Sequence, residues 1–473
     1  MLAPTRALAP VPAPTPPVLN KSLTYYDTGL ASTYNPLLPT SSGIGFSIPA
    51  FPPPFPDTPL LNPGLLALLS TTPSRPSGNG TLQRLRARRL VNTGSMCFVN
   101  AILQLLVHSP PFWNLFKELG DLKGRSGARG PETGDGATPL VDAMVKFFEE
   151  FTIEEKGPLP QPAAGGKERE DEEAKKVHNS VDSFEPTYVY DAMKEKKQLK
   201  HLLDGQQQDA GEFFRHYLDV LDEELLALLA SISGNKSGTG APRVEEPEVS
   251  QSSLTDVRKR VFTSVESPLM CIFCGTFRSI VRAPNQPDTV TVEYWRSLQL
   301  DIQHGSVYAI EDALARISHL QPVQLGPSGF NVASQQVQIK ALPPVLALHL
   351  KRFLYDATTD SIVKISKPVK FAPELEIPPE IMAPVEEKSA EPAHYKLYGV
   401  LYHHGESAGS GQYTVDVLHP NGDSSEGEAW LHIDDEAVSA VRHEDVFGGH
   451  DNERVDDQCV YMLFYCRTAP TRT

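Results

Sequence analysis

The stretch RLVNTGSMCFVNAILQLL, residues 89–106, is the part of this sequence that decides the expected fold. Apolar residues after Cys97 recur at spacings of three and four, so the stretch predicts an amphipathic helix that begins near Cys97. Partial positive charge at a helix N-terminus favours a thiolate, which makes Cys97 a candidate nucleophile. The alternative is a small buried hydrophobic residue, the usual role of a free cysteine.

The same chemistry needs further groups elsewhere in the chain. Asn92, just before Cys97, carries an amide that is a candidate donor to an oxyanion, although a turn residue is the alternative. A thiol nucleophile also needs a base, normally an imidazole, and a group that orients it. The segments LYHHGESAGSGQYTVDV and WLHIDDEAV supply His403, His404 and Asp434 as candidates. Taken alone, such residues are more often solvated or part of a core.

A second helical stretch, QQQDAGEFFRHYLD, covers residues 206–219. Asp209 and Glu212 lie three residues apart at its start, so both side chains face the same way. In one interpretation they simply cap the helix, because acidic residues favour a helix N-terminus. In the other, they form an acidic clamp for a basic peptide.

Helical patterns come first along the chain and strand patterns follow. The C-terminal third contains short β-branched or aromatic runs separated by turn residues, which predict strands. These runs are residues 345–353, 395–403, 412–418 and 460–465. The order predicts an α+β fold rather than an alternating α/β fold.

Composition excludes several classes of protein. The chain has 473 residues but only five cysteines without a regular framework, which disfavours a disulfide-built secreted protein and predicts a cytosolic or nuclear location. No apolar run reaches the length of a membrane span, so neither a span nor a secretory leader is expected. The net charge of −16 disfavours binding to nucleic acid and favours a basic partner or substrate.

Residues 1–82 differ in composition from the rest, with 17 of the 42 prolines in the first 80 residues and few charges. Such a segment cannot bury enough surface to offset chain entropy, so it is predicted to be a disordered tail. Its apolar pieces are either docking motifs for an adaptor protein or parts of an unbound spacer. Residues 83–468 have a globular composition, with predicted disordered insertions at 123–138, 157–182 and 231–253.

The remaining cysteines give little indication of a metal site. Cys271 and Cys274 form a lone CxxC motif, whereas a structural zinc site needs four ligands. Half a ligand set is a weak signal, so no metal and no other cofactor is predicted. Cys459 and Cys466 are assigned to terminal strands.

In their order along the chain, these segments resemble the motifs of the ubiquitin-specific protease family of cysteine deubiquitinases. Residues 89–106 resemble its cysteine box, 207–214 its glutamine-aspartate helix, 343–353 its central strand and 395–417 its histidine box. Residues 430–435 resemble its terminal aspartate motif. The segment YKLYGVLYHHGESAGSG is most similar to the corresponding segment of the ubiquitin carboxyl-terminal hydrolase 10 branch and its fungal relatives.

The resemblance implies a papain-like cysteine protease fold with a thumb, a palm and zinc-free fingers. It implies ubiquitin and ubiquitinated proteins as partners, with the tail of ubiquitin threading between thumb and palm. Cleavage is then expected at the isopeptide or peptide bond after the C-terminal glycine of ubiquitin. Asp209 and Glu212 are expected to contact the arginine-containing tail.

Carried over to matching positions, the resemblance makes Cys97 the nucleophile, Asn92 the oxyanion donor and Asp434 the residue that orients the base, with Asp435 beside it. The family has histidine where this chain has Gln412. A glutamine amide does not titrate, so it cannot take the thiol proton or return it to the leaving amine.

The sequence leaves three hypotheses open. The chain is a deubiquitinase impaired by Gln412, a catalytically dead ubiquitin-binding scaffold (a pseudo-deubiquitinase), or a sporadic or engineered variant of an active enzyme. Replacement of the base by His403 or His404 is disfavoured, because the family carries histidine there in addition to the catalytic one. His432 shares strand parity with Asp434 but is expected on the surface.

Overall fold

The long helices come first and most strands follow in the computed structural model of the chain. The structure describes residues 84–125, 138–153, 183–203, 207–232, 267–284, 286–325, 331–356, 360–384, 392–407, 410–420, 428–447 and 458–468. The α+β organisation predicted from the sequence is therefore confirmed.

The helical part contains one helix that is buried on every side. The helices are α1 (Cys97–Val107), α2 (Pro110–Arg125), α3 (Pro139–Glu149), α4 (Thr187–Lys194), α5 (Lys197–Lys200), α6 (Ala210–Ile232), α7 (Pro268–Phe273), α8 (Ile310–Ala315) and α9 (His443–Phe447). All of α1 is buried, including its polar residues Asn100 and Gln104. A helix apolar on nearly every side belongs in a core, so the predicted amphipathic helix is correctly placed but more buried than expected.

The strands form one large sheet and three smaller ones among the described residues. They are β1 (Arg89–Leu90), β2 (Ser183–Phe184), β3 (Gly275–Arg282), β4 (Thr289–Trp295), β5 (Leu298–Leu300), β6 (Gln321–Leu325), β7 (Asn331–Ala341), β8 (Val345–Leu350), β9 (Phe353–Asp356), β10 (Ser361–Lys364), β11 (Glu374–Ile377), β12 (Ala393–Ser407), β13 (Ser410–His419), β14 (Ala429–Asp434), β15 (Ala437–Val441) and β16 (Cys459–Arg467).

The large sheet places the predicted site segments side by side. Its order is β15-β14-β13-β12-β16-β8-β5, and β11 also pairs with β12. Strands β12, β13 and β14 are antiparallel neighbours. The histidine box, which spans β12 and β13, therefore meets the aspartate motif of β14 at one end of the sheet. A second sheet has the order β4-β3-β7-β6, β9 pairs with β10, and β1 pairs in parallel with β2.

Helix α6 joins α1 to this sheet through its apolar stripe. The ring of Phe213 contacts Phe98 of α1 edge-on, with centroids 5.3 Å apart. On the sheet side, Phe214 contacts Phe464 of β16 in the same manner at 5.4 Å. All four rings are buried, so the predicted helical stripe is confirmed as the contact between helices and sheet.

One predicted strand is interrupted. The run 345–353 forms β8 up to Leu350 and then a separate strand, β9, from Phe353. Between them lies Arg352, whose buried guanidinium donates to the carbonyl oxygens of Val460, Ile365 and Lys367 at 2.5, 2.7 and 2.9 Å. These bonds join the break between β8 and β9 to β16 and to the residues that follow β10.

Several predicted segments lie outside the described residues. These are the tail at 1–82, the insertion at 157–182 and most of the insertions at 123–138 and 231–253. At their described ends, α2 continues to Arg125 and α6 to Ile232, so helix extends slightly into both predicted insertions. The adaptor-binding role of the tail stays a prediction. None of the described helices is both long and apolar enough to cross a membrane.

Candidate active site

Helix α1 begins at Cys97 itself. The preceding loop turns at Gly94, whose φ of +119° is a conformation that favours glycine. The Oδ1 atom of Asn92 accepts a hydrogen bond from the Met96 N–H group at 3.1 Å, which closes the loop just before the helix. Local sequence thus holds the Cys97 side chain at a helix N-terminus.

Asp435 ties both sides of this loop to the sheet. Its Oδ2 atom accepts from Asn92 Nδ2 at 2.8 Å, and its Oδ1 atom accepts from Asn100 Nδ2 at 2.9 Å. The Asp435 carbonyl also accepts the N–H group of Leu90 at 3.1 Å. Burial raises the pKa of Asp435, although the two asparagine donors oppose that rise. Asp435 therefore positions the segment around Cys97.

Gln412 and Asp434 interact directly at the end of the sheet. The exposed Gln412 side chain donates through Nε2 to Asp434 Oδ1. In a thiol protease site this position relative to an aspartate belongs to the imidazole that the aspartate orients. Here the orienting contact is made to a group that does not titrate.

Cys97 is 5% exposed, and its sulfur is contacted by donors. Gln207 Nε2 lies 3.9 Å from Cys97 Sγ. Burial raises the pKa of the Cys97 thiol above its ordinary range, while backbone N–H groups of Tyr413 and Phe98 lower it and the nearby carboxylate of Asp435 raises it further. The thiolate preference expected from the helix N-terminus is thus outweighed by burial.

The two adjacent histidines of β12 make contacts other than with the sulfur. His403 is fully buried, and neither of its ring nitrogens has a hydrogen-bond partner among the described residues. Burial lowers the pKa of His403 to about 4, so the ring is neutral at pH 7. His404 Nε2 is 2.8 Å from Thr414 Oγ1, and burial also lowers the pKa of His404. Neither ring takes the place of the absent histidine.

His432 belongs to a separate polar group on the sheet. Its Nδ1 atom lies 2.6 Å from Asp416 Oδ1, and Tyr402 donates to the other oxygen of Asp416 at 2.9 Å. Asp416 is buried. His432 is half-buried rather than fully on the surface as the sequence predicts, because this carboxylate holds it.

Asp209 and Glu212 differ in what they contact at the start of α6. Asp209 Oδ1 accepts the Glu212 N–H group at 2.8 Å, and its Oδ2 accepts from the Tyr461 hydroxyl. Asp209 thus caps the helix and joins it to β16. Glu212 lies 3.6 Å from His216 Nε2, and this contact lowers the pKa of Glu212.

The CxxC cysteines lie directly before β3, an inner strand of the second sheet. Cys271 lies within α7, and Cys274 follows the helix, directly before β3. Burial raises the pKa of Cys274 to about 11. The described residues contain no group of three or more His, Cys, Asp or Glu side chains that could hold a metal ion.

Two residues in the site were missed by sequence reasoning. Gln207 contacts Cys97, and its Oε1 accepts the Gly411 N–H group at 2.5 Å. Asn100 binds Asp435 from the helix that begins at Cys97. A polar residue one helical turn after the nucleophile, in an otherwise apolar helix, is a signal for Asn100. No local signal separates Gln207 from the glutamines next to it.

The site has a cysteine at the start of a helix, beside the end of a sheet. The sequence of the chain also matches a known protein family. A model described as "Ubiquitin carboxyl-terminal hydrolase" matches residues 88–465, and the chain belongs to that family. It is 32% identical over 419 residues to "Probable ubiquitin carboxyl-terminal hydrolase 3" of Schizosaccharomyces pombe, an alignment that covers 81% of this chain and 74% of the relative.

Vertebrate relatives match over a smaller share of their length. The chain is 32% identical over 415 residues to "Ubiquitin carboxyl-terminal hydrolase 10" of Rattus norvegicus, which covers 81% of this chain and 48% of the rat protein. The chain therefore spans about half of that relative. The resemblance to this branch of the ubiquitin-specific proteases and to fungal relatives is confirmed.

Solved structures confirm the fold class. The SAGA Ubp8/Sgf11/Sus1/Sgf73 DUB module bound to ubiquitin aldehyde matches with a TM-score of 0.55 and 19% identity, over 83% of this chain and 71% of that chain. The same module described without ubiquitin matches with a TM-score of 0.52 and 18% identity, over 84% and 71%.

Proposed function

We propose that this chain binds the C-terminal tail of ubiquitin beside Cys97 and is a cysteine deubiquitinase whose turnover is limited by Gln412. The observation that carries the proposal is the contact from Gln412 to Asp434, which preserves the place of the base but not its chemistry. Membership of the ubiquitin carboxyl-terminal hydrolase family supports the substrate class. So does the solved relative in fold that is bound to ubiquitin aldehyde.

The reaction has two steps that need a proton carrier. In the first, Cys97 Sγ bonds to the carbonyl carbon of the terminal glycine of ubiquitin, the C–N bond breaks and the leaving amine takes a proton. In the second, water hydrolyses the thioester and frees the carboxylate. A histidine at position 412 would take the thiol proton and deliver it to the amine, whereas an amide does neither. Loss of this step costs typically 10²- to 10⁴-fold in rate.

Binding of ubiquitin does not depend on the missing proton carrier. Asp209 and Glu212 place two carboxyl groups at the start of α6, where a basic tail passing Cys97 would meet them. The net charge of −16 also favours a basic ligand. Because Asp209 is occupied as a helix cap, Glu212 is the better candidate for direct contact with the tail.

A second candidate function is a ubiquitin-binding scaffold without turnover. The raised pKa of the Cys97 thiol favours it, because little thiolate is present at neutral pH without an imidazole partner. The two functions use the same site beside Cys97. They differ in whether a histidine at position 412 brings catalysis back.

Hydrolysis of a fluorogenic ubiquitin substrate by the unmodified chain, Gln412→His and Gln412→Asn separates them. We expect kcat to rise about 10²- to 10⁴-fold in Gln412→His and to stay flat in Gln412→Asn, which keeps an amide. If the unmodified chain and Gln412→His are both fast and have equal rates, Gln412 does not limit turnover. If both are inactive but bind ubiquitin, the scaffold function is favoured.

Binding is tested separately by charge reversal. Glu212→Lys is expected to weaken ubiquitin binding about tenfold or more, whereas Glu223→Lys, on the exposed surface of the same helix, is not. Asp209 is unsuitable for this test because its replacement removes a helix cap. Unchanged affinity in Glu212→Lys contradicts the acidic clamp.

A further inference from the structure

The side chain of Gln207 connects the nucleophile to the strand that carries Gln412. Its Oε1 accepts the Gly411 N–H group at 2.5 Å, and its Nε2 lies 3.9 Å from Cys97 Sγ. Only the oxygen end of an amide can accept from Gly411, so the donor end is the one that faces the sulfur. The backbone of β13 thereby fixes the orientation of a donor beside the reacting atom.

Asn92, the oxyanion donor implied by family resemblance, is directed elsewhere. Its Nδ2 donates to Asp435 at 2.8 Å, and its Oδ1 accepts from Met96 at 3.1 Å. Both ends of the amide are therefore used in holding the loop before α1. Of these two amides, Gln207 is the one that contacts Cys97.

We propose that Gln207 is a catalytic residue of this site, which stabilises the oxyanion formed when Cys97 attacks a carbonyl carbon. The inference rests on the proposed acyl-transfer function. When Sγ bonds to that carbon, the π electrons of the C=O group move onto the oxygen, which lies one atom beyond the bonded carbon. A donor 3.9 Å from Sγ is within reach of that oxygen at the distance of about 3 Å that an oxyanion hole requires.

The variant that isolates this role is Gln207→Glu. A glutamate retains an acceptor for the Gly411 N–H group and nearly the same shape, but it removes the N–H donor. It also adds a negative charge, so Gln208→Glu serves as the matched control because it places the same charge one residue away. Both variants keep Cys97 and Gln412 themselves unchanged.

The test compares the affinities of ubiquitin and ubiquitin aldehyde for the full chain. The aldehyde forms a hemithioacetal: Cys97 Sγ bonds to the aldehyde carbon, and the thiol proton passes through solvent to the oxygen. Unmodified ubiquitin makes no such bond. Gln207→Glu is expected to weaken aldehyde binding about 10- to 100-fold while changing ubiquitin binding less than about threefold. Gln208→Glu should change the two affinities equally.

Other outcomes overturn specific parts of the proposal. If Gln207→Glu weakens both ligands by the same factor, or neither, Gln207 does not stabilise the oxyanion. If the unmodified chain binds neither ligand, the proposed function fails instead.

Alkylation by iodoacetamide then tests Gln207 without ubiquitin. Gln207→Glu should slow modification of Cys97 at pH 8 about threefold or more relative to Gln208→Glu, because the thiolate loses a donor. Equal rates in the two variants overturn the assignment whether or not ubiquitin binds.

Discussion

The Gln412 amide donates a hydrogen bond to Asp434, so an orienting carboxylate is paired with a side chain that carries no transferable proton. The two residues come from neighbouring strands, β13 and β14, and the contact closes the end of the large sheet beside Cys97. The contact has the arrangement expected of a base and the carboxylate that orients it, but the side chain at position 412 does not titrate.

The contact between Gln412 and Asp434 predicts a coupled effect of Asp434→Asn. In the unmodified chain this substitution should change turnover of a fluorogenic ubiquitin substrate less than about tenfold, because there is no imidazole to orient. In the Gln412→His background it should remove most of the gained rate, by a factor approaching 10⁴. The same fold-loss in both backgrounds would contradict a dyad between positions 412 and 434.

The pH dependence of Cys97 reactivity follows from its buried setting. Because burial raises the pKa of the Cys97 thiol, the thiolate fraction is small at neutral pH and grows as the pH rises. The rate of modification by iodoacetamide should therefore still be rising above roughly pH 8.5, the ordinary cysteine pKa. Cys97→Ala gives the background from the other four cysteines. A rate plateau reached below about pH 7 would indicate a thiolate paired with a base.

The start of α6 predicts an unusual response to alanine. A Cβ atom at Gly211 would lie 2.8 Å from His349 Cε1 and 3.1 Å from Asp209 Oδ1, and both of these side chains are half-buried. Alanine in a helix normally stabilises by up to about 1 kcal/mol over glycine, yet Gly211→Ala should destabilise by about 1–3 kcal/mol because of this overlap.

Urea unfolding measures this difference, with Gly305→Ala as the control. A Cβ atom at Gly305 meets nothing within 4 Å, so Gly305→Ala should change the free energy of unfolding by less than about 0.5 kcal/mol. If Gly211→Ala is as stable as the unmodified chain, His349 does not fill the space beside α6.

Arg296 offers a comparison between a buried and an exposed partner. It donates to Asp219 at 2.9 Å and to Asp222, which is 6% exposed and also accepts from Ser267. Asp222→Ala should cost about 3–5 kcal/mol of unfolding free energy, because it leaves a buried guanidinium partly uncompensated. Asp219→Ala, which removes a half-exposed carboxylate, should cost less than about 1 kcal/mol. Similar losses in both variants, measured by urea unfolding, would rule out a special role for the buried pair.

Local patterns were sufficient to predict the start of α1 at Cys97, the buried stripe of α6 and the order of helices before strands. Each of these features depends on residues a few positions apart, where helical and strand spacing is directly visible. The family resemblance selected Asp434 among the candidates that the sequence offered, and it added the position of Gln412, which no local pattern distinguishes.

Contacts between distant segments were not predictable in the same way. Gln207 lies just before α6, which contacts α1 through Phe213 and β16 through Phe214, and its side chain meets Cys97 and Gly411 from this place. The burial that raises the pKa of Cys97 likewise depends on the folded structure and not on the local sequence. The helix N-terminus and its favourable dipole are visible in the sequence, whereas the burial that makes a thiolate costly to remove from water is not.

Asp435 holds Asn92 and Asn100 on either side of the nucleophile, and none of its three hydrogen bonds passes through position 412. The scaffold around Cys97 therefore persists whatever residue stands there. Glutamine and histidine codons differ only in their third base, so a point mutation in the gene suffices to introduce a histidine opposite Asp434. A single-base change therefore separates an amide from a titratable imidazole at this end of the sheet.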